Sequence, residues 1–315
     1  MNRIEDYLEG VQTVAIAAHV NPDGDAIGSS LGTASYLRDN YPELTVDVYL
    51  QKPRAEFFFL AGADRLKTEY HKGKAYDLLI LVDISSIDRI GVAGDCISYA
   101  KNTLLFDHHL TNRDSFTWKY NDPKASSASE VVWRFLDPEK VSRECAEAIF
   151  LGIVHDTGVF QYSSTSPDTM RVAASLMEKG INANAIIDNT FYQKSWNHNR
   201  MLGKVLAESR LEREGKVIFG LATLDDMYRL QLHPRDMDGI VSQMRNTYGV
   251  EVACFMYEVK KHTFKVSLRS RAFVDVSRIC MCFGGGGHAR ASGCTLEGEP
   301  EEIFAKILTE IDRQL

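Results

Sequence analysis

A chain of 315 residues that is 44% hydrophobic holds enough apolar material for a substantial core, and its length favours two domains over one. Its net charge of −7 excludes a protein that wraps long nucleic acid on a basic face, yet residues 260–290 carry seven Lys or Arg against the single acid Asp275. No apolar run approaches the roughly 18 residues of a membrane span and residues 11–18 lack the basic flank of a leader, so the expectation is a cytoplasmic protein without a membrane partner.

The chain opens with a short helix over 3–10 and a strand over 13–18. That strand runs into His19, Asp23 and Asp25, in a turn that begins a helix with Ile27, Leu31, Ala34 and Leu37 on the face toward the sheet. The small residues of this helix suggest close helix-to-sheet packing. A dinucleotide fold would place glycines at its start to admit a pyrophosphate. Two carboxylates stand there instead, which a helix N-terminus keeps ionised and which suit a cation rather than a bare phosphate.

Further strands are expected over 46–50, 77–82 and 103–106, and over 116–120 at the edge, with helical patterns between most of them as right-handed crossovers require. Helices follow over 126–136, from 143 to Asp156, over 167–179 and over 183–189. The polar segment 192–206 has a helical pattern and reads as a connection. From 207 the pattern restarts, with strands over 217–221, 250–257 and 263–269 and helices over 234–248 and 274–283. The six cysteines form no C-x-x-C pair and read as free thiols. The expected architecture is α/β: a mostly parallel five-stranded sheet flanked by helices over 1–191, a helical linker over 192–206, and a smaller α/β domain with a mixed sheet over 207–315.

Near the end of the basic segment lie Gly284, Gly285, Gly286, Gly287 and His288. A packed fold tolerates such a run where another group must approach the backbone closely. The run lacks the Lys-Ser/Thr of a phosphate-binding P-loop and reads as an anion cradle of exposed N–H groups, with His288 and Arg290 beside it.

The chemistry concentrates where apolar runs stop. One run ends at Asp107, His108 and His109, another at Asp83, a third at His155 and Asp156, and the first at His19. Strand ends of an open parallel sheet converge on one crevice. Asp23, Asp25, Asp83 and Asp156 gathered there would repel one another unless cations neutralised them. Carboxylate and imidazole without thiolate favour Mn, Fe, Co or Zn over Ca and are compatible with Mg. Two ions fit the ligand count better than one, and a pair of ions suits hydrolysis at phosphorus.

His19-x3-Asp23-Gly24-Asp25, Val82-Asp83, Asp107-His108-His109 and Asp156-Thr157-Gly158 resemble the four motifs of the DHH phosphoesterases. Gly284 to His288 with Ala291-Ser292-Gly293 resembles the C-terminal domain associated with them. The resemblance spans nearly the whole chain. It implies that His19 and Asp23 hold one metal ion, that Asp25, His108 and Asp156 hold the other, and that Asp83 bridges the two. It further implies Asp107 as an orienting group, His109 as the residue on the scissile phosphate, and Arg269, Gly285, Gly286, Gly287 and His288 as the grip on the substrate. The cofactors implied are two divalent ions, Mn2+ foremost with Mg2+ or Co2+ as substitutes. The substrates implied are short oligoribonucleotides and 3′-phosphoadenosine 5′-phosphate (pAp), and a homodimer is compatible. Cyclic di-AMP or its linear product, an inorganic polyphosphate, and a metal-stabilised nucleotide-binding regulator with little turnover stand as alternatives. His155 departs from the usual Thr, as either a further group behind the ligands or packing, and Ser292 departs from the usual Ala.

Overall fold

Strand β1 (Thr13–Ala17) is apolar on both faces because both are covered. Val14 and Ile16 enter one core, Ala15 and Ala17 another. Helix α1 (Gly24–Asn40) follows, and then β2 (Thr45–Tyr49), β3 (Tyr76–Val82), β4 (Ala100–Asp107) and β5 (Trp118–Asn121). The five strands form a parallel sheet in the order β2-β1-β3-β4-β5, with β5 at an edge. This computed structural model describes residues 2–110 and 112–315. They divide into two units, Met1–Gln193 and Lys194–Leu315.

The expected helical crossovers occur once. Among the described residues of this sheet only α1 joins consecutive strands; β2 and β3 are linked through the 3₁₀ turns Ala55–Phe57 and Ala63–Arg65, and β3 and β4 through Ile87–Arg89 and Gly94–Ser98. Pro53, Gly62 and Gly73 in the first connection, and Ser85, Ser86, Gly91 and Gly94 in the second, interrupt any helical run. The second connection covers one sheet face with separate plugs, Ile84, Ile90, Ala93 and Cys96, over Leu79, Leu81 and Leu105.

The other face carries α1, α2 (Ala128–Trp133) and α3 (Arg143–Asp156). The small residues of α1 serve helix-to-helix contact here. A Cβ on Gly28 would lie 2.4 Å from Ala148 O, and one on Gly32 would lie 2.5 Å from Ile149 Cδ1, both on α3. Helices α4 (Pro167–Met177) and α5 (Ala183–Ile187) and a π-helical turn, Asp188–Tyr192, complete the unit.

The second unit begins with α6 (Trp196–Glu208), whose Met201 and Val205 are fully buried in that unit's core. Most of the segment expected as a linker is thus one of its packed helices. Strands β6 (Arg210–Glu212), β7 (Val217–Ala222), β8 (Val252–Lys260), β9 (Thr263–Ser270), β10 (Gly286–His288) and β11 (Ala291–Glu297) make a mixed sheet in the order β10-β11-β9-β8-β7-β6. Only β7 and β8 pair in parallel. Helices α7 (Leu224–Arg229) and α8 (Ile240–Arg245) lie in sequence between β7 and β8; α9 (Val276–Met281) and α10 (Pro300–Asp312) contribute to the core on the opposite face.

Candidate active site

The first ligand-bearing segment is fixed by its own backbone. Asp23 caps α1, its Oδ1 accepting from the N–H groups of Asp25 and Ala26 at 3.0 and 3.1 Å. His19 Nδ1 lies 2.8 Å from Val20 O. A carbonyl only accepts, so Nδ1 carries the proton and Nε2 is the atom turned to the carboxylates, 3.7 Å from Asp23 and 3.3 Å from Asp83.

Asp83 stands at the end of β3 in a left-handed conformation, φ 52°, with its N–H on Phe106 O at 3.1 Å. Asp tolerates that region better than most residues, and such strain collects at functional sites. From there Asp83 reaches both sides of the cluster, since His108 Nε2 is 3.7 Å from its other oxygen. His108 Nε2 is also 3.2 Å from Asp156 at the end of α3. The buried Asp25 accepts from the N–H groups of Ala128 and Ser129 at 2.6 and 3.0 Å, so the first residues of α2 orient it.

Three overlapping groups result. His19, Asp23 and Asp83 offer three ligand atoms within 4.8 Å of one another; so do Asp25, His108 and Asp156, and so do Asp83, His108 and His109. All six expected ligand residues and His109 therefore meet in one place. The electrostatics show what the set lacks. Burial, and then the neighbouring Asp83 charge, push the Asp25 pKa up to about 7. Burial likewise raises that of Asp156 well above the carboxylate range. Burial would lower the His19 pKa, but Asp23 and Asp83 outweigh it and raise it to about 11. Asp25 and Asp156 are thus pushed toward the protonated form while Asp23 and Asp83 stay ionised beside the imidazoles, and the oxygen and imidazole donors of the set fit divalent cations.

Asp107 is fully buried and binds His109 Nδ1 at 2.8 Å, while its other oxygen accepts from Asn112 Nδ2 at 3.0 Å. Asn112 also donates to Ile84 O at 2.7 Å, and Asn121 Nδ2 donates to His109 O at 2.8 Å. Asn112 and the N–H groups of Ala128 and Ser129 were not anticipated. Residues 126–130 read only as a helix start, and nothing local announces that their donors meet Asp25. His155 is held by packing: its Nε2 lies 2.9 Å from Thr190 Oγ1, and its ring meets Phe57 and Phe191 edge-on at 5.4 and 5.7 Å. Gly24 makes room for it, as a Cβ there would fall 2.2 Å from His155 Cγ.

In the second unit the first two of the expected cradle residues turn their N–H groups back into the chain, while Gly286, Gly287 and His288 are exposed. Gly284 and Gly285 donate their N–H groups back to Met281 O and Cys280 O at 3.2 and 2.9 Å, closing α9, and Gly286 to His288 form edge strand β10. The backbone that approaches is the chain's own β11: a Cβ on Gly287 would lie 2.5 Å from Ala291 O, and one on Gly285 would lie 2.3 Å from Gly293 O. Arg290 Nη1 donates to Val274 O at 2.7 Å. The register sets His288 opposite Ala291, and Ala291 opposite Arg269. Directly opposed residues share a sheet face, so Arg269, Ala291 and His288 project on one side of the sheet.

Residues 13–153 match the DHH family, N-terminal domain, and residues 206–315 match the DHHA1 domain. The chain is 28% identical over 320 residues to the bifunctional oligoribonuclease and PAP phosphatase NrnA of Thermus thermophilus, covering 100% of this chain and 94% of that protein. It is 27% identical over 306 residues to the Bacillus subtilis protein of the same name, covering 94% of each. Among solved structures, an exopolyphosphatase-related protein from Bacteroides fragilis superposes with a TM-score of 0.88 at 25% identity, covering 98% of this chain and 94% of the other. The chain thus carries an N-terminal domain of the DHH family followed by a DHHA1 domain, the two together spanning most of its length.

Proposed function

We propose that the protein is a metal-dependent hydrolase of phosphoester bonds of the NrnA type, acting on short oligoribonucleotides and on the 3′-phosphate of pAp. The observation that carries this reading is the set of His/Asp groups linked to one another through Asp83 and His108. NrnA-named relatives aligned over nearly the whole chain support the substrate class.

In this reading His19 and Asp23 would hold one divalent ion, Asp25, His108 and Asp156 would hold a second, and Asp83 would serve both, with Mn2+ the preferred metal. Bound there, such a pair supplies positive charge to the phosphoryl oxygens and makes water acidic enough to serve as nucleophile near neutral pH. The chain's own residues do the rest. Asp107 fixes the His109 ring through Nδ1, which leaves Nε2 as the atom that carries a proton to the leaving oxygen. Arg269, Gly285, Gly286, Gly287 and His288 grip a second phosphate or nucleotide, Arg269 and His288 through charge-assisted bonds. That grip positions short substrates with binding energy remote from the reacting bond.

The test is product analysis with pAp, a labelled dinucleotide and cyclic di-AMP at equal concentration with Mn2+. Release of phosphate from pAp and of mononucleotides from the dinucleotide is expected. Cleavage of the cyclic dinucleotide alone would replace this substrate assignment, and absence of turnover on all three would point to a nucleotide-binding regulator.

A further inference from the structure

The connection between β2 and β3 exposes two consecutive aromatic rings, Phe58 at 44% and Phe59 at 47%, while Phe57 and Leu60 on either side are buried. The buried pair anchors the loop, so the exposed rings are not needed to hold it down. Two contacts place this loop beside the acid and imidazole cluster. Gln51 Oε1 accepts from Asn21 N at 2.6 Å, inside the turn that carries His19 and Asp23. The Phe57 ring meets His155, which packs on Gly24 between Asp23 and Asp25 and precedes Asp156.

The loop also carries cations. Lys52 is exposed, and the Arg54 guanidinium lies 5.7 Å from the centre of the Phe57 ring and 3.0 Å from Glu56. Accessible aromatic rings preceded in the same loop by Lys and Arg, next to the proposed phosphate-cleaving centre, are the chemistry that receives a nucleobase. Stacking on a ring face accepts any base, and nearby cations follow the phosphates. A protein partner would gain nothing from the adjacency to the cluster, whereas a nucleotide whose phosphate sits there brings its base within the same neighbourhood.

Building on the phosphoester hydrolase reading, we propose that Phe58 and Phe59 form the shelf on which a substrate nucleobase stacks while its phosphate is held at the His/Asp cluster. The shelf makes the enzyme prefer base-bearing phosphoesters over sugar phosphates and leaves the identity of the base weakly selected.

The test compares kcat/KM for pAp with that for ribose 3,5-bisphosphate, which lacks the base. The enzymes are the wild-type protein, Phe58→Ala, Phe59→Ala, the double variant, and Phe58→Trp with Phe59→Trp. The wild type is expected to prefer pAp, the double variant to lose about tenfold of that preference through KM, and the Trp variants to retain it. A double variant with the wild-type preference overturns the shelf, as does an equal loss on both substrates or an altered oligomeric state. Turnover of both substrates by the wild type with no preference also overturns the shelf and leaves the proposed activity standing. Turnover of neither overturns the activity and the shelf together.

Discussion

Asp107 binds His109 through Nδ1 at 2.8 Å, and the two belong to adjoining parts of one chain segment, the end of β4 and the residues just beyond it. The carboxylate is fully buried and also held by Asn112, so it fixes the imidazole in one tautomer and one orientation. His109→Ala should lower kcat by about 10²–10⁴ with the metal content unchanged. Metal analysis alongside the kinetics checks this, and parallel loss of metal and activity would make His109 a ligand instead.

Asp83 allows a charge to be removed without disturbing the backbone, because Asn also accepts the left-handed conformation that φ 52° requires. In the two-ion arrangement Asp83→Asn should weaken both ions at once, since one carboxylate balances charge at each. Titration of bound Mn2+ is expected to show two equivalents in the wild type and reduced affinity for both in the variant. A single tightly held equivalent in the wild type would sink the bridge.

Gly152 lies on α3 behind the cluster and is not among the expected ligands. A Cβ there would fall 1.9 Å from Ser129 Oγ and 2.7 Å from Asp25 Oδ1, so the added methyl must displace Asp25 or spread α1, α2 and α3. Gly152→Ala should cost about 1–3 kcal/mol in stability. It should also weaken cation binding, although it removes no ligand. Chemical denaturation and metal titration on the same preparation check both, and unchanged values in each would mean that the helices accommodate the methyl freely.

Much of this arrangement was legible in the sequence because each ligand sits where an apolar run stops, and strand ends in a parallel sheet share a crevice. Asp83 and His108 are readable on that ground, and Asp156 from the stop of an apolar run at the end of a helix. The orientation of Asp25 was not, because its donors at Ala128 and Ser129 come from a distant segment whose only local signal was that of a helix cap. The 3₁₀ crossovers are read as helices, and α6, read as a helix, is taken for a connection rather than a packed element, for a related reason: periodicity reports which residues can be covered, not what covers them. Strand β11 escaped notice because Ala291, Ser292, Gly293 and Cys294 lack the branched or aromatic side chains that mark strands.

Glu130 gives the first unit a pH dependence separate from the cluster. It is buried and accepts from Ser126 N and Oγ at 3.1 and 2.6 Å, from Thr169 Oγ1 at 2.7 Å and from Arg134 at 2.5 Å. Burial alone would raise its pKa, but these donors outweigh it and hold it below the usual range. With the folded value below the unfolded one, the contribution is fully present above the unfolded pKa and disappears as pH falls through the folded pKa. Glu130→Gln should therefore cost about 2 kcal/mol near neutrality. The gap to the wild type should narrow below about pH 4. Urea denaturation across pH checks this, and a gap of constant size would assign the effect to shape rather than charge.

The gathering of candidate ligands from the turn before α1 and its first residues, the ends of β3 and β4 and the end of α3 has a thermodynamic corollary. In the unfolded chain these groups are far apart and form no site, so a cation held among them binds the native state and leaves the denatured ensemble nearly untouched. Such a cation acts as a removable crosslink, adding about 1.4 kcal/mol of apparent stability for each tenfold rise in free metal above its dissociation constant. The melting temperature of this unit is then a property of the protein and its medium together, and it carries meaning only alongside a stated free-metal concentration.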